Sequence, residues 1–343
     1  MTKVKSYREW EILKSLGEGG QGFVYLVKKK GDSEGKQFVL KRLKNINRIE
    51  RFQKEIETII KFDHDNIVRY VDSDLTSDPP YLVMEYCKNG SLDKYDLSRY
   101  SLLEKLELFE SICKGFAYAH DKNIVHRDIK PSNIFMNERS NPVIGDFGIC
   151  FVDDAGERFT TTEEIVGPLL YIAPELEDGR LDEISTTSDV YSLGKLLYWL
   201  VASKIFNREK HRDTNYDLTK SQKGENYLLY ELLDKMITSN IKMRLKNASE
   251  ILSELEILKR RIMANNHVIN ITVPQHCIYC GKGNYNIVVH EQTKNWETVV
   301  SNFGFRVVGD AKWNIFVCDH CGNVQIFRSE KAKNKDIWKN PTT

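Results

Sequence analysis

The sequence predicts an α+β chain of two unequal lobes, β-rich first and helical second, followed by a small β-rich module. Three observations predict it. Residues 9–86 read mainly as short β-rich runs with one helical interruption, apolar periodicity turns helical from residue 91 onward, and two CxxC pairs lie near the C-terminus. At 343 residues the chain is too long for one small core, and about two to three compact units are expected.

In the first lobe, EWEILKSLG, GFVYLVKKK and KQFVLKRL are β-rich runs separated by glycines. Arg48–Phe62 then has helical spacing, with Ile49, Phe52, Ile56, Ile59 and Ile60 on one face. IVRYVDSDL and PYLVMEY return to strand character. In the second lobe Leu102, Leu106, Phe109, Cys113 and Phe116 form one apolar stripe, and Ile251, Leu255, Leu258 and Ile262 form another. The polar segment 207–226 reads as an exposed loop or insertion. After Met263, ANNHVINITVPQ reads as a linker, and NIVVH, FGFRVV, WNIFV and NVQIF read as short strands. The expected units are therefore 9–86 and 87–264 for the two lobes, 265–274 for the linker, 275–330 for the module and 331–343 for a basic tail.

A content of 41% hydrophobic and 29% charged residues is that of an ordinary globular chain. The formal net charge of +1 provides no global field that would select nucleic acid or membrane. MTKVKSYREW has no apolar signal region, and no stretch approaches the ~18 apolar residues that cross a bilayer. The apolar run Leu193–Ala202 is broken by Lys195 and reads as a buried helix. Of the 7 cysteines, Cys87, Cys113 and Cys150 sit in apolar settings as core thiols, so the expected location is a reducing cytoplasm with no membrane partner.

Gly17, Gly19 and Gly22 form a GxGxxG run between two predicted strands. No helix follows it, which argues against a dinucleotide-binding turn. Glycines let the backbone approach phosphates, with N–H groups donating to their oxygens. Lys41 ends the run QFVLK, and Glu55 stands on the predicted helix, where a carboxylate can hold a lysine against phosphates. Either residue alone reads more readily as a solvated charge. Their meaning changes with His126-Arg127-Asp128-Ile129-Lys130-Pro131-Ser132-Asn133, which is followed by Asp146-Phe147-Gly148, Ala173-Pro174-Glu175 and Asp189-Val190-Tyr191-Ser192-Leu193-Gly194.

With these motifs in this order, residues 9–263 resemble a eukaryotic-type (Hanks-type) serine/threonine protein kinase. The resemblance implies the bilobal kinase fold, ATP and Mg²⁺ (or Mn²⁺), and protein substrates. It makes Asp128 the catalytic base and Lys130 the group that neutralises the moving phosphoryl, with Asn133 and Asp146 holding Mg²⁺. Lys41 and Glu55 become the phosphate clamp. Val24 and Val39 would cover the adenine, Met84 would be the gatekeeper, Glu85 and Cys87 would present backbone groups, and Phe135 would floor the pocket. Glu175 with Arg244, Asp189 and Phe147 are implied to be structural.

Two departures matter. Val39 stands where the family usually has alanine and adds bulk above the adenine site. Pro168, after Gly167, replaces the usual threonine and is a tyrosine-kinase feature, whereas Lys130 follows the serine/threonine pattern. Lys130 touches the transferring phosphate and is given more weight, so serine or threonine is the expected acceptor and tyrosine the minor alternative. Arg127 suits control by loop phosphorylation, and Thr160, Thr161 and Thr162 are the expected autophosphorylation sites, an incidental polar loop being the bland reading.

Cys277-Ile278-Tyr279-Cys280-Gly281 and Cys318-Asp319-His320-Cys321-Gly322 resemble the knuckles of a zinc ribbon, which implies a structural Zn²⁺ on Cys277, Cys280, Cys318 and Cys321. Redox dithiols are the competing reading. The 37 intervening residues exceed the usual spacing and would supply their own strands. The module's partner stays open between protein and nucleic acid. Two readings from other classes remain beside the active kinase: a pseudokinase scaffold, against which Lys41, Asp128 and Asp146 are all present, and a nucleic-acid-responsive regulator acting through the module.

Overall fold

In a computed structural model, residues 6–19, 22–147, 170–218, 228–266, 280, 282, 285–289, 313–321 and 324–328 are described. Thr160–Thr162, Gly148, Gly167, Pro168, Cys150, Cys277 and the run FGFRVV lie outside these residues. The chain divides into two units, 1–262 and 263–343.

The first unit begins with a six-stranded antiparallel sheet. Its strands are β1 (Ser6–Tyr7), β2 (Trp10–Gly19), β3 (Gly22–Lys29), β4 (Gln37–Leu43), β5 (Tyr70–Asp74) and β6 (Tyr81–Glu85), in the spatial order β1-β2-β3-β4-β6-β5. Register separates its faces, because directly opposed residues share one side. Val24 opposes Lys41, and Val39 opposes Met84, so these four line the face that leads to the candidate site. On the other face Trp10, Val27, Leu40, Tyr81 and Val83 form a separate small cluster. Helix α1 (Ile49–Ile59) buries Phe52, Glu55, Ile56 and Ile59. Ile60, expected on that face, is 53% exposed: the helix ends at Ile59, and position 60 falls about 80° from Phe52 around the axis.

The rest of the unit is mostly helical, as the change of period predicts. Helix α2 (Leu102–Asp121) starts at a capping box, the Ser101 hydroxyl accepting the Glu104 amide and the Glu104 carboxylate accepting the Ser101 amide. Leu106, Phe109, Cys113 and Phe116 of its predicted stripe are buried. Strands β7 (Ile134–Met136) and β8 (Pro142–Ile144) form a hairpin. Short helix α3 (Pro174–Glu177) precedes α4 (Thr186–Ala202), which is buried along most of its length and forms the centre of the lobe. Helices α5 (Leu229–Met236) and α6 (Ala248–Asn266) complete it, with Ile251, Leu255, Leu258 and Ile262 of α6 buried as predicted. One continuous core runs from Phe52, Ile56 and Ile59 of α1 through Phe109 and Phe116 to Leu196 and Ile262.

The segment expected to be an exposed loop or insertion is mostly exposed in its described part, 207–218, but is anchored at two points. His211 and Leu218 are buried. His211 Nε2 lies 2.8 Å from Asp234 Oδ1, and the Leu218 amide donates to the Tyr230 hydroxyl at 2.8 Å. Tertiary partners on α5 thus hold a stretch whose composition reads as solvated.

The second unit contains a three-stranded antiparallel sheet of β9 (Tyr285–Val289), β10 (Trp313–Cys318) and β11 (Val324–Arg328), in the order β11-β10-β9. These strands coincide with NIVVH, WNIFV and NVQIF. Among the described residues no helix is long and apolar enough to cross a membrane.

Candidate active site

The first element of the site is the pair of glycine-bearing strand ends, Gly17 and Gly19 of β2 and Gly22 of β3. Gly22 is dictated by strand geometry: a Cβ there would sit 2.1 Å from the Arg42 carbonyl oxygen. Gly17 and Gly19 lie opposite Val24 and Gly22 on the facing strand. Beneath them Lys41 Nζ donates to Glu55 Oε1 at 2.7 Å and to Asp146 Oδ1 at 2.8 Å. Lys41 and Glu55 are 7% and 1% exposed, so these charges have been taken out of water. Burial opposes the lysine's charge, but the two carboxylates outweigh it and hold its pKa above the ordinary value. Asp146 is driven the opposite way: burial raises its pKa, and Lys41, His126 and Lys130 more than offset that.

The second element is the loop 126–133. Lys130 Nζ lies 2.9 and 2.8 Å from the two carboxylate oxygens of Asp128. Asn133 Nδ2 donates to the Asp128 carbonyl at 2.8 Å and to Asp128 Oδ2 at 2.9 Å. Both partners are acceptors, which fixes the amide orientation and leaves the Asn133 carbonyl oxygen for a cation. Asp146 and Asn133 therefore offer the hard oxygen donors that Mg²⁺ takes, and the residues fit that ion.

Backbone conformation in this region is costly. Arg127 stands at φ 67° and Asp146 at φ 53°, in the left-handed region that non-glycine residues seldom occupy. Hydrogen bonds over-determine both positions. Asp189 Oδ1 accepts the Arg127 amide at 2.9 Å, and its Oδ2 accepts the His126 amide at 2.8 Å. His126 Nδ1 accepts the Asp128 amide at 3.3 Å, so its Nε2 carries the proton and donates to the Gly145 carbonyl at 3.1 Å. That one ring links the Asp128 loop to the residue before Asp146. The His126 ring also lies 4.8 Å from that of Phe147, tilted by 59°, and the Phe147 ring lies 4.7 Å from Phe62, which follows α1.

Asp189 is itself 0% exposed. Its remaining partner is His120, which accepts the Ala248 amide at Nδ1 (3.1 Å) and therefore donates from Nε2 to Asp189 Oδ2 (3.0 Å). Burial raises the Asp189 pKa, and the hydrogen bonds from His120 and His126 bring it below the ordinary aspartate value. Further out, Arg244 pairs with Glu175 at 2.7 and 3.2 Å, both side chains fully buried, and donates to the Thr187 and Thr238 carbonyls. Burial raises the Glu175 carboxyl, but bonds from Arg244 and Ser188 hold it below the usual range.

Around the nucleotide space, Met84 and Cys87 are buried, and burial pushes the Cys87 thiol up to about 12. The Glu85 amide donates to the Arg69 carbonyl at 3.0 Å. The Phe135 ring packs so closely on Gly145 that an added Cβ there would lie 2.6 Å from it. Val24, Val39, Met84 and Phe135 thus come from four different strands. Sequence reasoning missed the ring of His126 as a link and His120 altogether. His120 and Asp189 are 69 residues apart, and nothing in the local pattern pairs them.

In the second unit the sulfurs of Cys280, Cys318 and Cys321 lie within 4.8 Å of one another. Cys280 and Cys318 are 3.8 Å apart. Tetrahedral zinc with Zn–S bonds of about 2.3 Å separates its sulfurs by about 3.8 Å, so these residues fit the ion. Cys318 Sγ also accepts the amides of His320 at 3.4 Å and Cys321 at 3.5 Å.

A family model described as protein kinase domain matches residues 10–276. The chain is 34% identical over 215 residues to a G-type lectin S-receptor-like serine/threonine-protein kinase of Arabidopsis thaliana, covering 60% of this chain and 25% of that one. It is 35% identical over 206 residues to another, SD1-13, of the same species (57% and 24%). Against cysteine-rich receptor-like protein kinase 10 of Oryza sativa subsp. japonica it is 34% identical over 202 residues (56% and 30%). The chain thus spans about a quarter of the length of the curated relatives it matches.

Proposed function

The chain belongs to the protein kinase domain family, and from that premise we propose that it transfers the γ-phosphoryl group of ATP to serine or threonine hydroxyls of proteins. The observation that carries this reading is the convergence of Lys41, Glu55 and Asp146 in one ion-paired cluster, with Asp128, Lys130 and Asn133 in a second cluster tied to it through His126. Lys41, held by Glu55, binds and orients the nucleotide phosphates. Asp128 accepts the hydrogen of the acceptor hydroxyl and aligns its oxygen. Lys130 spreads positive charge over the acceptor and the phosphoryl oxygens. Asn133 and Asp146 would hold Mg²⁺, which supplies charge neutralisation on the phosphates when bound. Phosphoryl transfer asks little covalent chemistry of the protein, so positioning and charge carry most of the rate.

Lys130 beside Asp128 favours serine and threonine over tyrosine, although Pro168 follows the tyrosine pattern. Incubation with labelled ATP and Mg²⁺, followed by phosphoamino-acid analysis, tests this: phosphoserine or phosphothreonine is expected, and phosphotyrosine alone would reverse it. Thr160, Thr161 and Thr162 are the proposed autophosphorylation sites, and an unchanged intact mass after the same incubation would remove them. The second unit is proposed to be a zinc ribbon that binds an unidentified partner, on the spacing of Cys280, Cys318 and Cys321. Cytoplasmic location is proposed on Cys87 and Cys113, buried free thiols of the first unit that suit a reducing compartment.

A further inference from the structure

The two faces of the six-stranded sheet are linked row by row. Successive residues of a strand point to opposite sides, so a row of side chains on one face sits beside a row on the other. In one row Gly17 opposes Val24, Val24 opposes Lys41 and Lys41 opposes Leu82, on the face that leads to the site. In the next row Glu18 opposes Phe23, Phe23 opposes Arg42 and Arg42 opposes Tyr81, on the outer face. Each of Glu18, Phe23 and Arg42 is thus the direct chain neighbour of a glycine of the run or of Lys41.

That outer row is joined side chain to side chain. The Arg42 guanidinium lies 4.4 Å from the centre of the Phe23 ring, within reach of a cation–π attraction. Its Nη1 donates to the Tyr7 hydroxyl at 2.7 Å, and the Tyr7 ring lies 6.1 Å from that of Tyr81. Arg42 also meets β3 through its backbone, since the carbonyl oxygen that would stand 2.1 Å from a Cβ on Gly22 is its own. Lys44, two residues on and so on the same face, pairs with Glu18 and has its Nζ 5.7 Å from the Phe23 centroid. Arg42 is half-buried, whereas the side chains of Lys44 and Glu18 are each 51% exposed, so Arg42 contributes more than the ion pair does.

We propose that Arg42 is a positioning residue for the nucleotide: held on Phe23 and by Tyr7, it braces the glycine-bearing end of β3 against Lys41 from the opposite face of the sheet. The Lys44–Glu18 pair adds the end of β2 to the same brace. The nucleotide half rests on the phosphotransfer reading above; the brace does not. Lys41 binds the phosphates and the glycines let their backbone come close to them, so the spacing between Gly22 and Lys41 decides whether both reach one ligand. Glycines have no side chain to hold that spacing, and it is set by the neighbours that do. Loosening the brace leaves Asp128, Lys130 and Asn133 in place, because their hydrogen bonds lie within the loop 126–133. It therefore acts on nucleotide affinity and not on transfer at saturation.

Arg42→Met, Arg42→Lys and the milder Tyr7→Phe, which removes one hydroxyl, test this on the full chain. Hydrogen exchange reads the brace, and calorimetric titration with ATP and Mg²⁺ reads its effect without turnover. Arg42→Met is expected to speed amide exchange in β2 and β3 near Glu18 and Phe23 about fivefold, and to weaken ATP binding and raise the ATP KM by about the same factor. Its kcat and its KM for a protein acceptor should match the wild type. Tyr7→Phe should give about a twofold effect on exchange and on ATP binding. Arg42→Lys keeps a cation over the ring and should bind ATP to within about twofold of the wild type. Unchanged exchange in both Arg42→Met and Tyr7→Phe overturns the brace. Arg42→Lys no better than Arg42→Met overturns the stacked cation as its cause. Faster exchange with unaltered ATP affinity, or a fall in kcat as large as the rise in KM, reduces Arg42 to a structural role. A wild type that binds ATP but transfers no phosphate overturns the phosphotransfer reading alone, and the titration still decides Arg42.

Discussion

Asp189 holds Arg127 in a left-handed backbone conformation, its Oδ1 accepting the Arg127 amide at 2.9 Å while Arg127 stands at φ 67°. The same carboxylate accepts the His126 amide and the His120 ring, so one buried group sets the strained loop that presents Asp128. Charge-assisted hydrogen bonds of this kind are worth about 1.5–3 kcal/mol each. Asp189→Asn keeps one acceptor oxygen but turns an NH₂ toward a donor. It is expected to lower the unfolding free energy by about 3 kcal/mol, and to reduce kcat more than the ATP KM. Denaturant titration beside steady-state kinetics checks both.

The Glu175–Arg244 pair gives a different kind of prediction. Removing one partner strands the other's charge in a dry interior, at a cost of about 3–5 kcal/mol. Arg244→Met should therefore destabilise strongly. Glu175→Met combined with Arg244→Met removes both charges and should recover most of the loss. A double variant as unstable as the sum of the two single variants would show that the remaining contacts of Arg244 with the Thr187 and Thr238 carbonyls carry the stability instead.

Both carboxylates are held below their ordinary values, 3.8 for Asp189 and 4.5 for Glu175. A carboxyl whose pKa is depressed in the folded state binds fewer protons there than when unfolded. Its stabilisation is present in full above the ordinary value and is lost as pH falls through the folded value. Unfolding free energy should thus be flat with respect to these two groups above about pH 5 and fall below about pH 4. In the Glu175→Met, Arg244→Met double variant the fall should be shallower. An equal acid slope in that variant would contradict the assignment.

The sequence made the chemistry-bearing residues legible because phosphate and cation chemistry restricts residue type at fixed spacings. Lys41, Asp128, Asn133 and Asp146 all stand in such motifs, and the lobe boundary follows a change from period two to period 3.6. What holds them in place was not legible. His120 reaches Asp189 by a tertiary contact that leaves no mark in local pattern. The same cause explains the segment 207–218, polar in composition yet anchored by Asp234 and Tyr230. Ile60 was misplaced because apolar spacing cannot tell where a helix stops.

Zinc in the second unit makes a prediction independent of phosphotransfer. Purified chain should carry a single zinc, released by a thiol-modifying reagent and reduced by Cys280→Ser or Cys318→Ser. Cobalt substitution should give the intense near-ultraviolet bands of thiolate ligation. Cys318 accepts two amide hydrogen bonds, so its loss should weaken metal retention. Full metal content in the Cys318→Ser chain would contradict the proposed ligand set.

The most direct measurement compares wild type with Asp128→Asn for transfer of labelled phosphate from ATP with Mg²⁺ to a protein acceptor, with nucleotide binding measured on both. Asparagine keeps the side-chain volume and one oxygen acceptor while removing the charge that takes the acceptor proton. The account predicts transfer by the wild type, a loss of at least about 10²-fold in kcat for the variant, and nucleotide affinity unchanged in both. Equal transfer by the two chains, or none by a wild type that binds nucleotide, would contradict it.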